Sequence, residues 1–306
     1  MDRFDAMRAF VQVLESGSYT KAALQLSLHK ATVSQQIQQL EDKLGTRLLT
    51  RTTRSVTPTE EGLAYYRHAC AILQQVDEVE TMLRKGSSAP AGHLRVDVPV
   101  AMGRLVFAPE IRSFLERYPK ITIELGCTDR AVDLVQEGVD CALRGGPLPD
   151  SRLSARRVGD LRFVLCAAPH YIGQHGLPES PEALARHHQI GFVLASTAKV
   201  RPVTLLRDGR KVELDVAARF TTTDSAAALS AGLDGLGIIV LAEFVVSHYL
   251  SSGALVPVLP GWQCPSLPLH LVTPTTRKRA ARVQAFMDWA HALVLRRMGP
   301  HLDADA

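Results

Sequence analysis

The chain has 306 residues, 46% hydrophobic and 22% charged, with a formal net charge of +4. That length exceeds one typical core and the composition excludes wholesale disorder, so two or three folded domains are expected. Residues 1–58 hold eight lysines and arginines against five acids, a surplus of +3 that leaves only +1 for all the rest, as a small nucleic-acid-binding unit or a solvated basic face would have.

Phe4, Met7, Phe10, Val11 and Leu14 recur at helical spacing, predicting an amphipathic first helix that ends near Gly17. Thr20 is placed to cap a second helix carrying Ala22, Ala23 and Leu26. A turn over Ser27–Lys30 leads to a third, with Val33, Ile37, Leu40 and Leu44 as its buried stripe and Gly45 just past its end. Arg47–Val56 then alternates weakly and reads as a two-stranded wing.

Thr57-Pro58-Thr59-Glu60 signals a helix start, with Thr57 at the N-cap and Pro58 at the first helical position. The helix it opens should run to about Lys85, roughly 40 Å long. Leu63, Tyr66, Cys70, Leu73, Val76 and Leu83 form a narrow stripe on it at near-heptad spacing. Such a stripe calls for a partner helix, predicting a dimer seam, with packing on the chain's own second domain as the alternative. Lys85–Gly92 is a linker.

Beyond the linker, short apolar runs (Leu94–Val100, Ile121–Leu125, Cys141–Leu143, Phe163–Ala167, Ile238–Leu241, Leu269–Val272) alternate with helical stretches at Arg104–Arg117, Val132–Glu137 and Arg277–Leu295. That alternation predicts a mostly parallel sheet covered by helices. Arg207-Asp208-Gly209-Arg210 is a hairpin turn. Gly232, Gly235 and Gly237 follow a helix and precede a strand, the reverse of a dinucleotide fingerprint, and read as a helix-to-strand turn.

On the third helix, Thr32, Ser34, Gln35, Gln36, Gln38 and Gln39 lie outside the buried stripe. Glutamine amides pair bidentately with adenine, and hydroxyls reach phosphates or base edges, so this face suits the major groove. The residues read as contacting DNA are Thr20, His29, Lys30, Thr32, Ser34, Gln35, Gln39, Arg51 and Arg54.

With those residues in view, the chain resembles the LysR-type transcriptional regulators over nearly all its length. The specific parts are Ala22-Ala23, Val33-Ser34, Ile37, the LEDKLG segment, RLLTRTTR and Thr57-Pro58-Thr59-Glu60-Glu61-Gly62. Where the family commonly has Ser-Gln with a Pro or Ser ahead of Val33, this chain has His29-Lys30-Ala31-Thr32. Gln35 stands where an Arg is common. Further matches are Val98-Pro99, Tyr118-Pro119, Gly138-Val139-Asp140, Leu143-Arg144-Gly145-Gly146 and Gly235-Leu236-Gly237-Ile238.

The resemblance implies an α+β multi-domain fold. A winged helix-turn-helix (1–58) is followed by a linker or dimerisation helix and hinge (59–91) and a periplasmic-binding-protein-like effector domain (92–306). That domain divides into subdomain I (92–164 and 268–306) and subdomain II (165–267). It also implies operator DNA as partner, a homodimer through the linker helix, a homotetramer, contact with RNA polymerase, and a small effector between the subdomains.

For the effector, the strand ending at Val100, Ala101 and Met102 opens a helix whose N–H groups attract an anion. Arg144 could add a charge or serve as a structural hydrogen-bond donor. Thr222, Thr223 and Asp224 end another strand, where plain helix capping is the competing role. This make-up suggests a small carboxylate. The lack of a hydroxyl in Val100-Ala101-Met102 admits a more apolar or aromatic metabolite.

Cys70, Cys127, Cys141, Cys166 and Cys264 lack metal-ligand spacing, and the separation of Cys166 from Cys264 gives no reason to pair them. His187-His188 reads as surface. No cofactor or metal is expected. Neither a leader signal nor a membrane-length apolar run appears, so a cytoplasmic location is expected. Catalytic motifs are missing, so the chain is not read as an enzyme. The competing reading is a solute-binding module whose N-terminal helices serve oligomerisation only.

Overall fold

The computed structural model describes residues 2–51, 56–83, 89–130, 132–148, 153–195, 197–215, 218–275 and 280–298, with the backbone alone at 51, 67, 71, 74, 75 and 77–83. These residues form two units, Met1–Ser88 with Asp133–Val139 and Ala89–Val132 with Asp140–Ala306.

In the first unit, α1 (Arg3–Ser16) starts where the Asp2 side chain accepts the Phe4 N–H and stops at Gly17, whose φ of 65° suits glycine. The next helix, α2 (Tyr19–Gln25), is capped by Ser18 rather than Thr20, because Ser18 is the extended residue whose hydroxyl accepts the Lys21 N–H; Thr20 lies inside the first turn. Helix α3 (Lys30–Leu44) ends at Gly45, φ 68°. Ala6, Ala9, Phe10 and Val13 of α1 pack with Ala22 and Ala23 and with Val33, Ile37 and Leu40. Leu44, read as part of this stripe, is 44% exposed; the core ends at Leu40, where Leu48 and Leu49 take over.

The wing is β1 (Leu49–Arg51) antiparallel to β2 (Val56–Pro58). Pairing holds Thr57 and Pro58 extended, so the helix start falls two residues later than its signal. Helix α4 (Glu60–Leu83) is capped by Thr59, whose hydroxyl accepts the Gly62 N–H at 2.9 Å. Gly62 is required there, because a Cβ would overlap the Leu48 carbonyl. Ala69 and Leu73 of α4 pack on Met7, and Tyr65 meets Phe10 edge-on at 5.5 Å. Leu73, read as part of a dimer seam, is therefore covered by α1, while Leu63 and Ile72 stay exposed (48% and 38%). Residues 85–88 of the predicted linker lie outside the described residues.

The second unit opens with β3 (Gly92–Val98), the short helix α5 (Val100–Met102), a π turn (Gly103–Phe107) and α6 (Ala108–Arg117). Strands β4 (Ile121–Cys127), β5 (Cys141–Gly145) and β6 (Leu153–Leu161) follow. After Arg162 come β7 (Phe163–Ala167), α7 (Pro169–His175), a 3-10 helix (Pro181–Arg186), β8 (Gln189–Leu194), β9 (Lys199–Val200), the hairpin β10 (Val203–Arg207) and β11 (Arg210–Leu214), and β12 (Ala218–Thr222). The chain closes with α8 (Ser225–Leu233), β13 (Ile239–Ala242), α9 (Glu243–Ser251), β14 (Val256–Pro257), β15 (Leu267–Pro274) and α10 (Ala281–Met298).

A five-stranded sheet runs β4-β3-β5-β15-β6, with β3 parallel to β4 and β5, and β15 antiparallel to β5 and β6. Its core joins Leu94, Val96 and Leu271 to Phe107, Phe114 and Phe286. Two three-stranded sheets, β13-β7-β14 and β12-β8-β9, build the other half. The chain passes between halves at Arg162 and returns along β15, where Leu267 pairs with Leu161.

The predicted helix Val132–Glu137 is instead a series of turns. Asp133 Oδ1 accepts both the Val135 and Gln136 N–H, and Gly138 (φ 66°) ends the turn. The 207–210 hairpin forms as read, with Asp208 and Gly209 both at positive φ.

Candidate functional site

The first candidate surface is α3. Its aliphatic side is buried, and this holds His29, Lys30, Gln35, Gln38 and Gln39 exposed, with Thr32 and Ser34 half-exposed beside them. Thr20 is exposed on α2. Arg51 lies in β1, described by its backbone alone, and Arg54 lies outside the described residues. Glu41, not singled out from sequence, joins this surface to the wing: its Oε1 accepts the Leu48 N–H at 2.8 Å and the Leu49 N–H at 3.0 Å. One carboxylate oxygen thus fixes where β1 leaves the helix. The only sequence signal was an acid one turn ahead of a glycine stop.

The second candidate region gathers the strand ends of the second unit. Val100 begins α5, and its N–H donates to Asp129 Oδ1 at 3.1 Å. Ala101 is half-buried and Met102 buried. Arg144, on β5, sets Nη2 on Asp97 Oδ1 at 2.7 Å and Nη1 on the Leu143 carbonyl at 3.0 Å. Asp224 caps α8 by accepting the Ala226 and Ala227 N–H, while Thr222 Oγ1 accepts the Asp224 N–H; Thr223 is exposed.

Burial holds the Asp129 carboxyl above the usual carboxylate range and the nearby Asp224 charge adds to this, against the Val100 N–H and Arg144. Asp129, Asp224 and Arg144 therefore share one electrostatic neighbourhood. The donors that sequence reasoning offered to a carboxylate each meet a carboxylate of the chain itself. Asp97 and Asp129 carried no motif and were not singled out.

Arg201 was also missed. Its N–H donates to the Phe192 carbonyl at 2.8 Å, and its guanidinium lies over the Phe163 ring at 4.3 Å and that of Phe192 at 5.8 Å. Phe192 pairs with Thr222 across β8 and β12. Cys166 and Cys264, distant in sequence, come within electrostatic reach of each other, with Cys264 also beside Arg201; burial pushes their thiols up to about 12 and about 11. His187, expected at the surface, is buried (8% exposed) because its ring packs at Tyr171, whose hydroxyl lies 3.3 Å from His187 Nδ1 and accepts the His188 N–H. Among the described residues, no cluster of His, Cys, Asp or Glu could hold a metal ion, and no helix is long and apolar enough to cross a membrane.

A winged helix-turn-helix followed by a two-part α/β binding domain defines a transcription regulator with an effector-binding domain. Residues 4–63 match the description "Bacterial regulatory helix-turn-helix protein, lysR family" and residues 87–294 match "LysR substrate binding domain". The chain belongs to the LysR family.

It is 37% identical over 293 residues to an HTH-type transcriptional repressor of Pseudomonas aeruginosa, covering 96% of this chain and 92% of the relative. The structure of CrgA, a LysR-type transcriptional regulator from Neisseria meningitidis, matches with a TM-score of 0.60 at 35% identity, over 94% of this chain and 97% of that one. The full-length structure of AphB, a virulence activator of Vibrio cholerae, matches with a TM-score of 0.61 at 29% identity, over 97% and 99%. These relatives are named as transcription regulators, not enzymes.

Proposed function

We propose that the protein binds operator DNA in the cytoplasm as a homodimer joined through α4, paired further into a homotetramer. The amide and hydroxyl face of α3 enters the major groove and the wing follows the backbone. A small metabolite, a carboxylate or an aromatic compound, held between the two halves of the second unit, shifts the arrangement of the dimers and their contact with RNA polymerase. The shift requires that the metabolite prefer one arrangement over the other. Catalysis and a resident cofactor have no part in this reading.

The observation that carries it is the outward face of His29, Lys30, Gln35 and Gln39, held by the buried Val33, Ile37 and Leu40. Gel-shift assays on the intergenic DNA beside the protein's own gene test it. Salt-sensitive, sequence-selective binding is the expected result, and its absence would refute the reading.

A further inference from the structure

Arg201 presents an electrostatic anomaly. Its side chain is only partly exposed, lies over Phe163 and Phe192, and donates from Nη2 to the Val240 carbonyl at 3.0 Å. Among the described residues, no carboxylate lies within ion-pair distance of it. The buried arginines elsewhere in this unit do have acids: Arg144 has Asp97 at 2.7 Å and Arg282 has Asp140 at 3.8 Å. A guanidinium withdrawn from water and left without an anion is unfavourable, and proteins seldom keep one without a use for it. The thiols near it do not supply the charge, since burial keeps both Cys166 and Cys264 protonated.

The surroundings of Arg201 say what kind of anion is missing. Phe163 packs on the same apolar cluster as Ala101, and Phe192 stands beside Thr222. Two aromatic rings flank the guanidinium, and Thr222 is the strand partner of one of them. The other donors of the region are answered by Asp129, Asp224 and Asp97.

We propose that Arg201 is the anchor for the effector, binding the carboxylate of a planar aromatic acid whose ring rests beside Phe163 and Phe192. This rests on the reading of the second unit as the holder of a small effector, and it names that effector's class. Guanidinium suits the task because its fork matches a carboxylate bidentately while its flat faces remain stacked on the rings. The carboxylate balances the charge and the ring replaces water against apolar surface.

Isothermal titration of the full-length protein with benzoate, benzamide and benzylamine tests the assignment in the wild-type chain, Arg201→Met and Arg201→Lys. Melting temperature without ligand and operator gel shift are measured on the same samples. Benzoate is expected to bind the wild type and to lose about ten- to hundredfold in affinity in Arg201→Met, the size of a lost charge-assisted hydrogen bond. Arg201→Lys should fall between them, and benzamide should bind weakly and alike to all three.

Because the charge is unpaired without ligand, Arg201→Met should melt no lower than the wild type. A structural plug would predict the opposite. Benzoate binding equally to wild type and Arg201→Met, no benzoate binding to the wild type, or a clear fall in the melting temperature of Arg201→Met would each overturn the assignment. Operator binding separates this failure from that of the broader reading: if the gel shift persists, the regulator stands and only the anchor falls.

Discussion

Asp97 and Arg144 stand on the neighbouring strands β3 and β5 with Oδ1 and Nη2 2.7 Å apart, 7% and 18% of their side chains exposed. Asp97 lies beside the tight approach of Gly126, where a Cβ would come to 2.7 Å from its carboxylate. The pair ties the middle of the sheet. An arginine held this way fixes β3 against β5.

Breaking this pair should destabilise the second unit. Asp97→Asn leaves Arg144 with a weak neutral partner, and Arg144→Met leaves a buried carboxylate. Each should cost about 2–3 kcal/mol, less than a fully buried pair because Arg144 keeps some contact with water. The double variant should cost less than the sum of the two. Denaturant unfolding of the four proteins gives the coupling directly, and strict additivity would show that the contact is not an ion pair in solution.

Asp129 predicts a pH dependence of opposite sign to the usual acid. Its folded pKa lies above the ordinary value, through burial first and the Asp224 charge second. The folded state therefore binds this proton more readily than the unfolded chain, so the group adds stability as pH falls from neutral through its raised pKa towards the ordinary value of about 3.9. Asp129→Asn should flatten that gain while still accepting the Val100 N–H. A carboxyl NMR titration should also show Asp129 moving down in Asp224→Asn. An unchanged Asp129 midpoint in that variant would mean that the two acids do not interact.

Local signals in the sequence found most of the first unit and the apolar strands, but failed where tertiary pairing outweighed them. Strand Phe163–Ala167 was legible because burial on both faces made it continuously apolar. Strand β12, Ala-Arg-Phe-Thr-Thr, showed only at its Thr222 end, because it is an edge strand with mostly exposed side chains. Strand β6 was hidden in the same way by Arg156, Arg157 and Asp160, whose charges are met by partners distant in sequence or on the same strand. The helix start at Thr57 was displaced to Thr59 by β1–β2 pairing, which no local cap signal encodes. Among the strand ends of the second unit, Arg144 was visible as a charge, while its partner Asp97 and the stacked Arg201 depend on strands that meet only in the fold.

Glu41 should link stability of the first unit to DNA affinity. Glu41→Ala removes the acceptor for two N–H groups at the root of the wing and should cost about 1–3 kcal/mol. Operator affinity should fall with it, because β1 loses its fixed exit from α3. Lys30→Ala is the comparison: exposed and distant from this clasp, it should leave the melting temperature unchanged while reducing the salt slope of binding by about one. Fluorescence anisotropy at several salt concentrations separates the two effects. An unchanged affinity in Glu41→Ala would show that the wing needs no such tether.

His187 should make the second unit sensitive to mild acid. Its ring is buried against Tyr171, with the Tyr171 ring 4.5 Å from His175 and the His175 ring 6.2 Å from His188. Burial, then the charges of His175 and His188, hold its pKa below the ordinary histidine value. The carboxylate of the adjoining 3-10 helix, Glu182, is engaged by Arg210 at 2.7 Å. A histidine with a lowered folded pKa is neutral in both states above its unfolded pKa of about 6.5. Below it, the unfolded chain takes up the proton first and stability falls as pH drops. Denaturant unfolding between about pH 7.5 and about pH 5.5 should therefore show a loss that His187→Gln reduces, since glutamine keeps a hydrogen-bonding group near the Tyr171 hydroxyl but takes no proton. The same acid limb in both proteins would show that His187 is not its source.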